Sequence, residues 1–292
     1  MTSVYRNVKA QLEVGRWCEN RIADWGIPHV RGEVATAAGV TGFVTAGDEP
    51  REGEPSVVLL PGTNMNAALC LPLVGALARG RRVTVLDLPG QPGLSAGGRP
   101  RVRRMAWYGQ WLGEALDSAA PGPAVVVGHS LGGAVALACG SPKIVGRVLL
   151  SSAGIMRPKV PAPLLAATIP WLVRPSVARS AALLGHMAAP GAGGVPGHLS
   201  TWMDLVARSC RTSLAPPPLP AGLLEQRRAV PTLVTTGRCD PFLPPHVLGP
   251  AARHLLGAEF RVVEGAGHLL LDEAPDAVLA MAEEFCAAVA RG

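Results

Sequence analysis

Ala124-Val125-Val126-Val127-Gly128-His129-Ser130-Leu131-Gly132-Gly133 is the stretch on which the fold turns. A short apolar, β-branched run passes directly into a glycine-flanked turn, and residues 131–139 continue as an apolar helix. Strand, tight turn and helix form the setting in which G-x-S-x-G carries chemistry. The serine backbone is held in a strained turn, so side chains two positions to either side would collide with it or with the neighbouring strand and helix. The turn leaves the Ser130 hydroxyl at a helix N-terminus, where the helix dipole and free N–H groups favour a developing negative charge. Ser130 is therefore the candidate nucleophile.

Working outward, short apolar segments alternate with helical ones. Strands are predicted at residues 57–60, 83–87, 124–127, 145–150, 232–235 and 260–263, with helices near 67–79, 105–119, 131–139, 246–256 and 275–290. Residues 4–25 show helical spacing that ends at Gly26-Ile27-Pro28, and residues 30–37 and 40–46 read as an antiparallel hairpin. Such alternation predicts the α/β class: a mainly parallel sheet flanked by helices. One interval breaks the pattern, because about eighty residues separate the strand ending near Ser151 from the one starting at Thr232, far more than an ordinary connection needs. Residues 153–229 are expected to form a helical lid inserted after the sixth strand, with helices at 164–173, 177–187 and 199–210, and the core is expected to comprise residues 1–152 and 230–292.

A serine hydroxyl is a weak nucleophile and needs a base, which in turn needs a group that fixes its tautomer. His268, in Gly265-Ala266-Gly267-His268, directly follows the strand at 260–263, which places it in a loop at the carboxyl edge of the sheet. Asp240, in Gly237-Arg238-Cys239-Asp240-Pro241-Phe242, follows the strand at 232–235 and lands on the same edge, where open α/β sheets bind their ligands. Asp272 and Glu273 compete for the acid's role but read as helix-start residues before Pro275. His129 should point away from Ser130 as a pocket or packing residue. For the oxyanion, the Leu131 amide supplies one donor, and the loop Leu60-Pro61-Gly62-Thr63-Asn64-Met65-Asn66 supplies the other from Thr63, with Asn64 the next candidate.

Together these motifs resemble the α/β-hydrolase superfamily, in its serine esterase and lipase-like branch with a helical cap, over roughly residues 30–290. The resemblance implies acyl transfer through a covalent acyl-serine, without metal or cofactor. Two departures stand out. The oxyanion loop has Pro61-Gly62 where many relatives have His-Gly, so a buttressing side chain is lost, for which Asn64 or Asn66 could substitute. The segment Asp87-Leu88-Pro89-Gly90-Gln91-Pro92-Gly93-Leu94-Ser95 is longer than the family's usual turn and reads as a variant loop lining the site entrance. The insertion is rich in large apolar residues, so its underside suits an aliphatic or aromatic group, with Asn64, His129, Trp171, Trp202 and Phe242 as candidate substrate contacts.

Composition narrows the remaining classes. With 48% apolar and 16% charged residues, the chain sits in the globular range. The net charge of +6 comes from basic residues scattered along the chain except at Arg99, Arg101, Arg103 and Arg104; no nucleic-acid-binding signature accompanies them, so no nucleic-acid partner is expected. An acidic acyl-carrier partner is the one use that cluster suggests. The six cysteines show no CxxC pair or metal-ligand spacing. Charges at Arg6, Lys9, Glu13 and Arg16 interrupt the run a signal peptide needs, and Pro and Gly break both long uncharged segments, so a cytoplasmic enzyme with no membrane span and no membrane partner is expected. The function these readings favour is cleavage of a small apolar ester, thioester or lactone. The main alternative is a biosynthetic thioesterase, cyclase or acyltransferase, in which something other than water resolves the acyl-serine; a C–C bond hydrolase, a hydroxynitrile-lyase-like enzyme and a non-enzymatic ligand-binding protein also stay open on the same residues.

Overall fold

The computed structural model describes every residue except 52, 121, 192, 212–215 and 292. Eight strands form the main sheet: β1 (His29–Thr36), β2 (Gly39–Ala46), β3 (Ser56–Leu60), β4 (Val83–Leu86), β5 (Ala124–His129), β6 (Ile144–Leu150), β7 (Thr232–Gly237) and β8 (Glu259–Val263). Their spatial order is β8-β7-β6-β5-β3-β4-β2-β1. Pairings from β4 through β8 are parallel, while β1 and β2 form an antiparallel hairpin that joins β4 antiparallel. The six predicted parallel strands and the hairpin are all present, with ends displaced by one or two residues.

Because side chains alternate across a strand, β5 feeds two cores at once. Val125 and Val127 face the layer built by α1 (Val8–Ala23), α2 (Ala67–Leu77) and α11 (Pro275–Arg291). Ala124 and Val126 face the layer of α3 (Arg104–Ala119), α4 (Leu131–Ala138) and α9 (Pro245–Leu256). Burial on both faces is why β5 is apolar throughout rather than alternating. The chain lays β4 on one side of β3 and β5 on the other, so a crevice opens at the carboxyl ends of β3 and β5, where the order reverses.

Between β6 and β7 lie α5 (Ala162–Val173), α6 (Val177–Gly185), α7 (Gly197–Ser209) and α8 (Ala221–Gln226). The first three match the expected helices of the insertion, and they pack on one another. Residues 192 and 212–215, within the same interval, lie outside the described residues. The fourth helix was not foreseen: after the proline-rich joint it packs against α9, with Leu219 and Leu224 buried in the core layer there. The amino-terminal helix α1, capped by Asn7 Oδ1 accepting from the Ala10 amide at 2.8 Å, also does more than its spacing showed. It packs on α7 of the insertion, with Trp17 and Trp202 ring centroids 4.6 Å apart. Among the described residues, no helix is long and apolar enough to cross a membrane.

Candidate active site

Ser130 sits between β5 and α4 with φ 50° and ψ −109°, a left-handed setting that non-glycine residues rarely adopt. Backbone bonds hold it there: its N–H donates to Leu150 O at 2.9 Å, and its carbonyl accepts from the amides of Gly133, Ala134 and Ala153. The glycines are sterically required. A Cβ on Gly128 would lie 2.6 Å from Gly133 N, one on Gly132 would overlap the Leu60 carbonyl, and one on Gly133 would overlap Ser152 Oγ.

His268 follows β8 and brings its Nε2 to 3.2 Å from Ser130 Oγ. Its Nδ1 lies 2.9 Å from Asp240 Oδ2. Asp240, in turn, accepts from the amides of Phe242 at 2.8 Å and Leu243 at 3.0 Å, and Thr236 Oγ1 donates to it at 3.1 Å. Burial alone would raise the Asp240 pKa, but the charge and hydrogen bond of His268, with the Ser151 and Leu243 hydrogen bonds, hold it well below the usual carboxylate range. The three residues that the sequence placed on one sheet edge therefore meet there, Asp240 fully buried and His268 nearly so.

His129 packs beside this trio. Its Nε2 lies 2.9 Å from the His268 carbonyl, and burial followed by the nearby His268 charge pushes its pKa down to about 4. At neutral pH it is uncharged and adds no second cation beside the base. A Cβ on Gly62 would meet its ring at 2.8 Å, so the Pro61-Gly62 loop closes directly over His129. Phe242 sets its ring edge-on to His268, centroids 4.7 Å apart.

Several residues that hold the site carried no local signal in the sequence. Glu273, which read only as a helix start, accepts from the amides of Gly267 and Leu269 at 3.0 Å each, one on either side of His268. Its other oxygen accepts from Ala189 N of the insertion at 2.6 Å. The His268 amide donates to Met187 O at 2.8 Å, so the insertion is bonded into the base's loop. Asp87, buried between the amides of Ala67 at 2.5 Å and Leu94 at 2.6 Å, ties α2 to the variant loop. Burial raises its pKa to about 6, against the lowering effect of those two bonds.

The oxyanion loop is clamped from both sides. Asn64 has φ 61°; its N–H donates to Gln91 Oε1 at 3.0 Å and its carbonyl accepts from Trp202 Nε1 at 2.6 Å. The Asn64 amide is thus committed to Gln91. Leu131 opens α4, where backbone amides have no intrahelical partner. Gln91 and Trp202 hold the loop through these two bonds, and Asn66 adds one from Nδ2 to Pro92 O at 3.3 Å. Trp171 donates to Met203 O at 3.2 Å and joins α5 to α7. Both tryptophans read as candidate substrate contacts are buried and spend their indole N–H on these bonds within the protein.

A small pocket lined by Gly62, Met65, Leu69, His129, Leu199 and Leu269, and by none of the trio, holds about one water molecule. A larger groove, about 520 Å³, runs between α1, α2 and α7, and its lining includes none of Ser130, Asp240 or His268.

A parallel sheet with a serine on its strand-to-helix turn, facing a histidine and an aspartate at the carboxyl edge, defines an α/β-hydrolase. The sequence model of the Alpha/beta hydrolase family matches residues 57–281, and the chain belongs to that family. No curated protein sequence matches it. Among solved structures it is similar to carboxylesterase CesB from Bacillus subtilis, at 20% identity and a TM-score of 0.79, over 95% of this chain and 98% of that one. Naproxen esterase from the same organism is similar at 19% identity and a TM-score of 0.79, over 96% and 98%. A thermophilic esterase from Thermogutta terrifontis is similar at 21% identity and a TM-score of 0.66, over 89% and 99%. At such identities the likeness speaks for the shared fold.

Trp202→Phe keeps an aromatic ring against Trp17 but removes the donor to Asn64, so kcat on an ester substrate falls roughly tenfold with KM little changed, because the oxyanion donor is misaimed rather than lost. Affinity for a trifluoromethyl ketone inhibitor, which mimics the tetrahedral oxyanion, should fall in parallel with kcat. A rise in KM alone would assign Trp202 to substrate contact instead.

Proposed function

We propose that the chain is a serine hydrolase that cleaves a carboxylic ester of an apolar small molecule. The observation that carries this reading is the continuous hydrogen-bonded series Ser130 Oγ, His268 Nε2, His268 Nδ1, Asp240 Oδ2, at 3.2 and 2.9 Å. That three esterases are among the similar structures shows that this fold serves ester hydrolysis, which supports an ester as the substrate.

His268 takes the Ser130 proton as Oγ attacks the ester carbonyl, and the oxygen that becomes negative is held by the amides of Leu131 and Thr63. The tetrahedral adduct collapses, His268 passes the proton to the departing alkoxide, and an acyl-serine remains. His268 then deprotonates a water that attacks the acyl carbon; the second adduct releases the acid and returns a proton to Ser130. Asp240 holds the imidazole with its proton on Nδ1, so that Nε2 is free to accept.

Residues 153–229 act as a cap in this reading, and α7 lines the small pocket beside His129 through Leu199. The test is pre-steady-state hydrolysis of p-nitrophenyl esters of short to medium chain length. A burst of p-nitrophenol equal to the enzyme concentration is expected; no turnover across the series would end the ester assignment.

A further inference from the structure

The outer face of the insertion carries an apolar surface that the hydrolytic reading does not use. On α5, Leu165, Ile169 and Val173 follow one another at intervals of four, so they share a face, and they are 56, 60 and 71% exposed. Val160 before the helix and Val177 after it extend the same exposure, at 59 and 46%. The opposite face is anchored: Leu164 and Trp171 are buried, and α5 packs on α6 and α7.

The charges around this stripe have one sign. Arg157 and Lys159 precede it, Arg174 and Arg179 follow it, all four exposed, and no Asp or Glu occurs between Gly154 and Met203. On the helices that α5 packs against, the one acidic side chain is Asp204, which is paired with Arg208 at 2.8 Å. Between Lys159 and Arg174, the one side chain able to form hydrogen bonds, apart from the anchored Trp171, is Thr168, whose hydroxyl donates to Leu164 O at 2.8 Å.

We propose that α5 docks this face onto an anionic phospholipid bilayer, lying in the plane of the interface with its apolar residues below the headgroups and the flanking basic residues at phosphate level. A second copy of the chain is disfavoured, because a two-fold contact would press like charges together with no carboxylate to pair them. A folded protein partner would need polar groups to fix its register, and the stripe offers none; a fluid surface needs none. The amino-terminal side of α5 is also tied to the site, since the Lys159 amide donates to Phe242 O at 2.9 Å and Phe242 packs on His268. Docking therefore brings the edge of the site close to membrane-dissolved apolar molecules.

The test is co-flotation of the full chain with vesicles of phosphatidylcholine containing about one-third phosphatidylglycerol, against pure phosphatidylcholine vesicles. Binding to the anionic vesicles, weakened by salt, is expected. The exposed pair Leu165→Ser and Ile169→Ser should lower the partition coefficient at least about tenfold, and each of Arg157→Ala, Lys159→Ala and Arg174→Ala about fivefold. Circular dichroism melts keep the comparison to folded protein. The proposal is overturned by no flotation of the wild type, by flotation indifferent to these substitutions, or by a dimer in solution that Leu165→Ser and Ile169→Ser dissociate. Capture of an acidic acyl-carrier protein by the same basic residues, without vesicle binding, would also overturn it. None of these readouts requires ester hydrolysis, so vesicle binding can fail while the catalytic reading stands.

Discussion

Ser130→Ala lowers kcat/KM on any ester the enzyme turns over by about 10⁵-fold or more, with the melting curve unchanged within about 1 kcal/mol. The size follows from what remains. His268 keeps its bond to Asp240 and the oxyanion amides keep their places, but no atom is left to form the acyl-enzyme, and only direct attack by water persists. The fold survives because the elbow is held by main-chain atoms. The Ser130 N–H to Leu150 bond and the three bonds to the Ser130 carbonyl do not involve the hydroxyl, and alanine meets the same backbone strain as serine. Labelling with a fluorophosphonate probe, followed by peptide mapping, checks the same point covalently: wild type is labelled at Ser130 and the variant is not. Activity retained within tenfold, or label on another residue, would place the nucleophile elsewhere.

The trio was legible in the sequence for a physical reason. Each member follows a strand of the parallel sheet within a few residues, so locating the strands places Ser130, Asp240 and His268 on one edge before any coordinates are known. The supports were not legible. Gln91 reaches Asn64 across 27 positions and Trp202 reaches it across 138, in each case through a side chain bonding to a main-chain atom. Such bonds impose no residue pattern on the main-chain partner, whether it donates or accepts, because a peptide group looks the same at every position. Glu273 illustrates this further: a glutamate ahead of a proline and a helix matches the composition of a helix start, and only the folded chain shows that it grips both sides of His268 and the insertion as well. The packing of α1 on the insertion was hidden likewise, because Trp17 lies on a helix whose spacing announces an apolar face but not what covers it.

Asp240→Asn should cost about 10⁴ in kcat/KM, although it exchanges one oxygen for an amide nitrogen of nearly equal size. One carboxylate oxygen faces the amides of Phe242 and Leu243, both donors, and the other faces His268 Nδ1. An asparagine that turned its NH₂ toward the two main-chain donors would set N–H against N–H twice, so its carbonyl oxygen must stay there and its NH₂ must face the imidazole. Nδ1 then has to accept. The proton moves to Nε2, which meets Ser130 Oγ as a donor and can no longer take the serine's proton. The wrong tautomer is thus imposed by two backbone N–H groups that do not touch the histidine. Nitrogen-15 NMR of the imidazole checks this step directly, with the proton on Nδ1 in the wild type and on Nε2 in the variant near neutral pH. A variant within about tenfold of wild-type kcat/KM, or one whose proton stays on Nδ1, would show that Asp240 does not set the tautomer.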